Sequence, residues 1–516
     1  LRDSWPARHP VAAAGAVLAT AVALVPAAYL VVRTLEYGPA ALLGQLFTER
    51  IARLTATSLL LVAVVTALCL VIGVALAVLV TRTSVPGRRA LAVAAALPLA
   101  VPSYVAAFGW TSLVGLFDVR AGFEGFWAAV FVLTLVTYPY VYLAVSASLL
   151  SVDAAHEEAA RALGHSPART FLKVTLPLVL PAVAAGGLLC ALYILADFGG
   201  VSILRVDTFT RAIFTSFNMG FDRLGAVALS SVLLALTVLI LLVESRFRRT
   251  GTRYARLGSG VRRPHALLPL GRFGVPAAAA AWLLVGVAVG GPLAAMGVWS
   301  VRGVSRPGSL AEVAAAFGGS VWAAGLGALA TTALAVPLGI AIARSGSRWP
   351  RLAERLVYLA HSLPGVVVGL SVVFLGINVA YAFYQTQWLL TLAYCTLFLP
   401  LALGPVVGAV LLAPPQAEEA AAALGRGPVR VFLKVTLPLA LPGIASGALL
   451  VLLTAVKELP ATLMLRPTGF ETLATRLWTH TSVNAYAAAA PYAALLVLLA
   501  IAPTWILVAR VFREKT

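Results

Sequence analysis

The sequence predicts an all-α, polytopic membrane protein of about twelve transmembrane helices, arranged as two parallel repeats of six. Three observations predict it. Hydrophobic residues make up 61% of the 516-residue chain and charged residues only 11%, whereas soluble domains carry about 25% charge. Such a composition cannot supply a polar skin, so lipid must cover most of the surface. Apolar stretches long enough to cross a hydrocarbon core, about 20 residues each, recur along the whole chain. Finally, one charged segment is written twice, as EEAARALGHSPARTFLKVTLPLVLP from Glu157 and as EEAAAALGRGPVRVFLKVTLPLALP from Glu418.

The first six spans are expected near 11–32, 55–81, 91–117, 126–150, 177–196 and 225–243, and the second six near 274–300, 321–343, 357–379, 388–412, 438–456 and 487–509. Prolines in the third, fifth, ninth and eleventh spans predict bends or breaks there. Arg2 and Arg8 ahead of the first stretch are also a secretory-signal feature. That apolar run is long for a signal, and a similar span opens the second half, so it is read as a membrane span. Because the chain begins at Leu1 rather than Met, a few preceding residues are expected. Cys69, Cys190 and Cys395 lie far apart inside apolar spans and read as small core residues, neither a disulfide framework nor a metal site.

Orientation follows from Lys and Arg. With a cytoplasmic N-terminus, twelve spans return the C-terminus and both copies of the doubled segment to the cytoplasm, and 26 of the 38 basic residues fall inside. That bias is the positive-inside pattern. It also accounts for the net charge of +19, since short basic loops beside spans meet anionic lipid headgroups. A nucleic-acid partner is not expected.

At an offset of 261, residues 157–183 match residues 418–444 at 19 of 27 positions, among them Gly164/Gly425, Lys173/Lys434, Pro177/Pro438 and Pro181/Pro442. The same offset pairs Asp197 with Glu458 and Arg205 with Arg466. An even number of spans between equivalent points makes the duplication parallel; inverted repeats need an odd number. The expected organisation is a first repeat over 1–250 with its loop at 153–176, a basic cytoplasmic linker at 251–272, and a second repeat over 273–516 with its loop at 414–437.

Within the doubled segment, residues 153–163 read as a short helix capped by Asp153. Gly164 allows a left-handed turn, and Pro167 suits the first turn of a second short helix. Gly425 and Pro428 repeat that punctuation. The product is a helix–turn–helix at the cytoplasmic face, ending at Leu176-Pro177, where the chain returns to the membrane. One copy alone has a second reading, a solvated loop resting on headgroups. Two near-identical copies favour a paired docking surface, because a merely solvated loop places little demand on residue identity.

Glu158-Ala159-Ala160, Gly164 and Val174-x-Leu176-Pro177, matched by Glu419-Ala420-Ala421, Gly425 and Val435-x-Leu437-Pro438, resemble the EAA motif of permease subunits of ATP-binding-cassette importers. Valine stands where that motif often has isoleucine. The resemblance covers nearly the whole chain, with two permease subunits fused into one, and implies the membrane domain of a type I importer in a bacterial inner membrane. It implies that Glu157, Glu158, Ala159, Gly164 and Pro167, with Glu418, Glu419, Ala420, Gly425 and Pro428, couple the permease to two ATPase subunits. A periplasmic or lipoprotein substrate-binding protein is the other implied partner. The four lysines, Lys173, Lys434, Lys457 and Lys515, follow Leu, Leu, Val and Glu, so the Gly-Lys-Ser/Thr of a phosphate-binding loop is missing. The chain is therefore expected to be a transport subunit rather than an enzyme, with no cofactor of its own and with ATP and Mg2+ on the partner ATPase.

Asp197 and Glu458 occupy the same repeat position beside spans, where charge is costly and tends to mark a pathway. Two readings stand. The acids face one another and offer hard oxygen ligands to a cation, or they pair with Lys457, Arg205 or Arg466 and only shape the mouth. Tyr104 and Tyr138 are further pathway candidates, with interfacial-belt or packing roles as the alternative. The histidines do not cluster at metal-ligand spacing, so no metal site is assigned. The stretches LADFGGVSILR and ELPATLMLRP resemble the corresponding regions of fused permeases in the ferric iron importer family. That likeness implies ferric iron as cargo, while relatives that carry thiamine, polyamines or phosphonates keep the cargo open. An ion-coupled secondary carrier is the rival class, and no Ser/His/Asp constellation supports an intramembrane enzyme.

Overall fold

The computed structural model describes residues 10–116, 123–218, 220, 222–251, 267–302, 309–345, 347–361 and 363–513. Most of the expected linker, with Arg2, Arg8, His265 and Lys515, lies outside the described residues. Among the described residues the structure is helical, and the sole β feature is an isolated bridge between Thr83 and Leu268.

Nine described helices are long and apolar enough to cross a membrane as single pieces. They cover the first, second, fourth to eighth, tenth and eleventh expected spans. The third and ninth are each two helices, bent by 92° between Arg88–Ala100 and Ser103–Gly115 and by 106° between Arg348–Ala360 and Gly365–Asn378. Both breaks fall at Pro102 and Pro364, each with extended backbone (ψ 146° and 145°) ahead of the following helix. A proline also pushes the residue before it out of the helical region, and Val101 is extended accordingly. The last helix is Tyr486–Arg513, whose described apolar stretch is Tyr486–Ile501.

Hydrogen bonds at the helix ends show that the bent pairs cross rather than re-enter. Arg82, the last residue of Glu49–Arg82, donates from Nη2 to the carbonyl of Leu149, the last residue of Phe126–Leu149, at 3.0 Å. These two ends therefore lie together. A helix of 24 residues is about 36 Å long, so its start at Phe126 is at the opposite end, and the 88–115 pair must carry the chain there. Arg344 Nη2 to the Ala413 carbonyl, 2.9 Å, makes the same argument for the 348–378 pair.

The fifth and eleventh spans continue as single pieces despite their prolines, and for Pro177 and Pro438 there is a local reason. Each is preceded by a five-residue π turn, Phe171–Thr175 and Phe432–Thr436, both reading FLKVT. Proline clashes with the carbonyl four residues back in a regular helix. For Pro177 and Pro438 that residue is Lys173 or Lys434, inside the wider turn, where the strain is relieved. The short helix after each glycine therefore runs on into the span, instead of stopping at Leu176-Pro177.

The compact units cut across the two sequence halves. One comprises 1–46, 213–231 and 308–479; the other comprises 47–212, 232–307 and 480–516. In the first unit, Leu310–Arg344, Gln387–Leu412 and Leu437–Ala455 form the core, with Pro10–Tyr37 packed on Leu310–Arg344. That last contact is close: a Cβ on Gly15 would sit 2.7 Å from Pro337. Thr396 also donates to the Val22 carbonyl at 3.2 Å. In the other unit, Glu49–Arg82, Phe126–Leu149 and Leu176–Ala196 form the core, and Gly291–Arg302 packs on Ser103–Gly115 and Tyr486–Arg513. Cys69 and Cys190 lie in that core, both against Thr137.

Candidate functional site

Each doubled segment is built the same way. Asp153 accepts from the Ala155 N–H at 3.0 Å and starts the helix Ala154–Ala162. In the second copy the helix Pro415–Ala423 starts from Pro414 without a side-chain cap. Gly164 and Gly425 then take φ of +84° and +78°, the left-handed region that L side chains avoid. The turn is closed by Gly164 N–H to the Arg161 carbonyl at 2.9 Å and His165 N–H to Ala160 at 3.1 Å. Its counterpart uses Gly425 to Ala422 at 2.9 Å and Arg426 to Ala421 at 3.3 Å. Pro167 and Pro428 open the short helices that follow.

The two faces of each short helix differ. Glu158 and Ala159, with Glu419 and Ala420, are exposed. Beside them Leu163 is 82% exposed and Leu424 80% exposed, so each segment displays an acid, small residues and a bare leucine. Glu157 and Glu418 point the other way. Glu157 Oε1 lies 3.2 Å from Arg82 Nη2 and accepts from Thr175 Oγ1 at 2.9 Å. Glu418 Oε1 lies 2.8 Å from Arg344 Nη2 and accepts from Thr436 Oγ1 at 3.0 Å. The basic partners were missed in the sequence, although Arg82 and Arg344 stand at nearly the repeat offset and both threonines lie inside the copied block.

The acids beyond the spans form a second pair of sites. Asp197 follows Leu176–Ala196; it accepts from Ser103 Oγ and, at 3.1 Å, from the Val201 N–H, so it caps Gly199–Ile203. Glu458 accepts from the Ala461 and Thr462 N–H groups at 3.0 Å each and from Thr462 Oγ1 at 2.8 Å, capping Pro460–Leu465. Carboxylates are favoured at such helix starts. Two of the bases weighed as partners are engaged elsewhere, Arg205 with Glu124 at 3.2 Å and Arg466 with Glu471. Tyr104 is buried next to Ser103, tight against Gly199. Tyr138 is fully buried within Phe126–Leu149, and its hydroxyl makes no hydrogen bond. Among the described residues no three His, Cys, Asp or Glu side chains converge as a metal site.

A polytopic helical chain with two parallel repeats, each bearing the same helix–glycine–helix segment at the ends of its spans, is a duplicated membrane component of a transport system. Comparison with known proteins makes the class particular. Residues 70–250 and 335–513 each match the family model described as "Binding-protein-dependent transport system inner membrane component", and the chain belongs to that family. It is a multi-pass inner-membrane protein with the type I importer fold. It is 37% identical over 486 residues, 93% of this chain and 94% of the relative, to the Fe(3+)-transport system permease protein FbpB 2 of Haemophilus influenzae. The sulfate transport system permease protein CysT of Escherichia coli is 33% identical over 202 residues, 35% of this chain and 71% of its own. The molybdenum transport system permease protein ModB of Mycobacterium tuberculosis is 32% identical over 190 residues, 34% and 72% respectively.

Proposed function

We propose that this chain is the two-repeat permease of an ATP-driven importer, moving ferric iron from an external binding protein into the cytoplasm. The observation that carries the reading is the doubled segment, with Leu163 and Leu424 bare beside Glu158 and Glu419, in a chain similar over nearly its whole length to a relative named for Fe(3+) transport. In this reading both termini are cytoplasmic and one ATPase subunit seats on each segment. Glu158, Ala159, Gly164 and Pro167 supply one contact, and Glu419, Ala420, Gly425 and Pro428 the other. ATP and Mg2+ bind the ATPase, whose closure displaces the segments and turns the pore toward the binding protein.

Asp197 and Glu458, with Tyr104 and Tyr138, remain our candidates for the translocation pathway. Their support is position: each carboxylate sits where a span gives way to a short helix. Ligation of a cation would compete with the N–H and O–H donors that both oxygens of each acid already hold.

The test is uptake by proteoliposomes containing the permease, its ATPase and the binding protein loaded with ferric iron. Uptake that requires ATP and saturates with the iron-loaded binding protein is expected. Uptake driven by an ion gradient without the ATPase would sink the proposal in favour of a secondary carrier. Preference for thiamine or an oxyanion would change the cargo alone. Asp197→Asn with Glu458→Gln should reduce uptake while the ATPase still co-purifies, and unchanged uptake would remove both acids from the pathway.

A further inference from the structure

The inward face of each doubled segment does something that docking on a partner does not require. In a helix, neighbouring residues point about 100° apart, so Glu157 and Glu158 cannot serve the same surface. Glu158 is exposed, whereas the Glu157 side chain is 12% exposed and its partner Arg82 7%. A single oxygen, Glu157 Oε1, meets Arg82 at the end of Glu49–Arg82 and Thr175 just ahead of Leu176–Ala196. The same Arg82 nitrogen holds the last carbonyl of Phe126–Leu149. Three spans and the short helix are thus tied at one point. The second copy repeats the acid, arginine and threonine atoms through Glu418 Oε1, Arg344 Nη2 and Thr436 Oγ1, and its arginine holds the Ala413 carbonyl just past the end of Gln387–Leu412.

The chain itself joins each short helix to only two spans, the one before it and the one after. The Glu49–Arg82 and Leu310–Arg344 helices are the longest described, at 34 and 35 residues, and are linked to the segment by side chains. A buried ion pair contributes little stability relative to well-packed apolar residues of the same volume, so its duplication points to geometry rather than to strength.

We infer that Glu157 and Glu418 are positioning residues that lash each ATPase-facing segment to the end of the Glu49–Arg82 or Leu310–Arg344 helix, so that a displacement of the segment moves that helix too. This rests on the reading of the chain as an ATP-driven permease. Arg82 and Thr175, with Arg344 and Thr436, complete the two lashings. The exposed face then grips the ATPase, and the inward face distributes the motion over three spans instead of two.

The experiment compares Glu157→Gln with Glu418→Gln against the unmodified permease, each purified with its ATPase and reconstituted with the loaded binding protein. Cargo moved and ATP hydrolysed are measured in the same vesicles. Glutamine keeps the shape and the hydrogen bond from threonine but removes the charge that holds arginine. The ATPase subunits should still co-purify, while cargo moved per ATP falls at least tenfold. A purely structural role would lower transport and hydrolysis together and leave their ratio unchanged, and that result would overturn the inference. Loss of the ATPase on purification would also overturn it, by placing these acids at the docking contact. Should the glutamine variant fold poorly, Arg82→Met with Glu157→Leu and Arg344→Met with Glu418→Leu replace both pairs by apolar contacts. Wild-type cargo per ATP in that properly folded variant would refute the lashing, and a lowered ratio supports it. If the unmodified chain neither retains the ATPase nor transports with ATP, the permease reading fails instead, and the two failures are distinguishable.

Discussion

The doubled segments and the paired acids are equally repeated in sequence position, yet the segments keep the same side-chain contacts in both copies and the acids keep only their place at the start of a short helix. At the segments the same three side chains, a glutamate, an arginine and a threonine, meet through the same atoms in both copies. At the acids the chemistry has drifted in step. Asp197 takes a hydrogen bond from Ser103, whereas the residue corresponding to Ser103 at an offset of 262 is Gly365, where a Cβ would come 2.8 Å from Glu458 Oε1. The longer acid occupies the space that the smaller neighbour vacates. Two copies held identical are what two identical partners would demand. Two copies that have diverged together keep a local function, the cap on a short helix, and are free to differ in whatever lies beyond it.

Breaking the segment side should give the larger effects. Arg82→Ala strands a buried carboxylate and is expected to cost about 3–5 kcal/mol, read as a lowered unfolding midpoint in detergent. Arg344→Ala should cost less, because the side chains of that pair are 14% and 22% exposed against 7% and 12%. Equal losses would show that burial does not govern the pair. Next in size, valine at Gly164 or Gly425 forces a β-branched residue into the left-handed region, at about 1–2 kcal/mol. Either change should weaken ATPase co-purification roughly tenfold, to the same extent in both copies, since their φ values are so close.

The acid side offers a sharper test of coupled drift. Asp197→Glu and Ser103→Gly should each destabilise the first repeat, while together they recreate the second repeat's arrangement. A thermodynamic cycle should return a favourable interaction of about 1 kcal/mol, and strict additivity would mean that the two substitutions are unrelated. The smallest effect should come from Asp153→Ala, which removes a cap worth about 1 kcal/mol and speeds amide exchange in Ala154–Ala162. The second copy has no equivalent change, because Pro414 already starts that helix without a side-chain cap.

Much of this was legible in the sequence, for reasons that can be named. Span positions follow from hydropathy, and the left-handed turns follow from Gly164 and Gly425. Asp153 caps because its carboxylate precedes an alanine-rich run. What escaped needed contacts between distant positions. Nothing local marks Arg82 as the partner of Glu157, 75 residues later, since a basic residue at the end of a span is ordinary. The prolines at 177 and 438 looked like helix breakers, yet the π turns ahead of them absorb the clash, and such turns have no clear sequence mark. In the sequence the acids read as ligands or as ion-pair partners; capping is not legible there, because nothing local marks the short helices after Asp197 and Glu458.

The packing of Pro10–Tyr37 on Leu310–Arg344 has a consequence for synthesis. This helix precedes every other member of its unit in the chain, and it buries Ala16, Ala19, Ala23 and Leu30 within a unit whose other members are mostly encoded beyond residue 308. At about 5–20 residues per second, its partner helix arrives on the order of 15–60 s later. During that interval the alanine face, with Gly15 made for close approach, waits in lipid without its mate. A chain cut between the repeats would leave that helix on the wrong fragment, so the first half made alone should carry Pro10–Tyr37 as a spare and lack the helices that 271–302 and 486–513 supply to its unit.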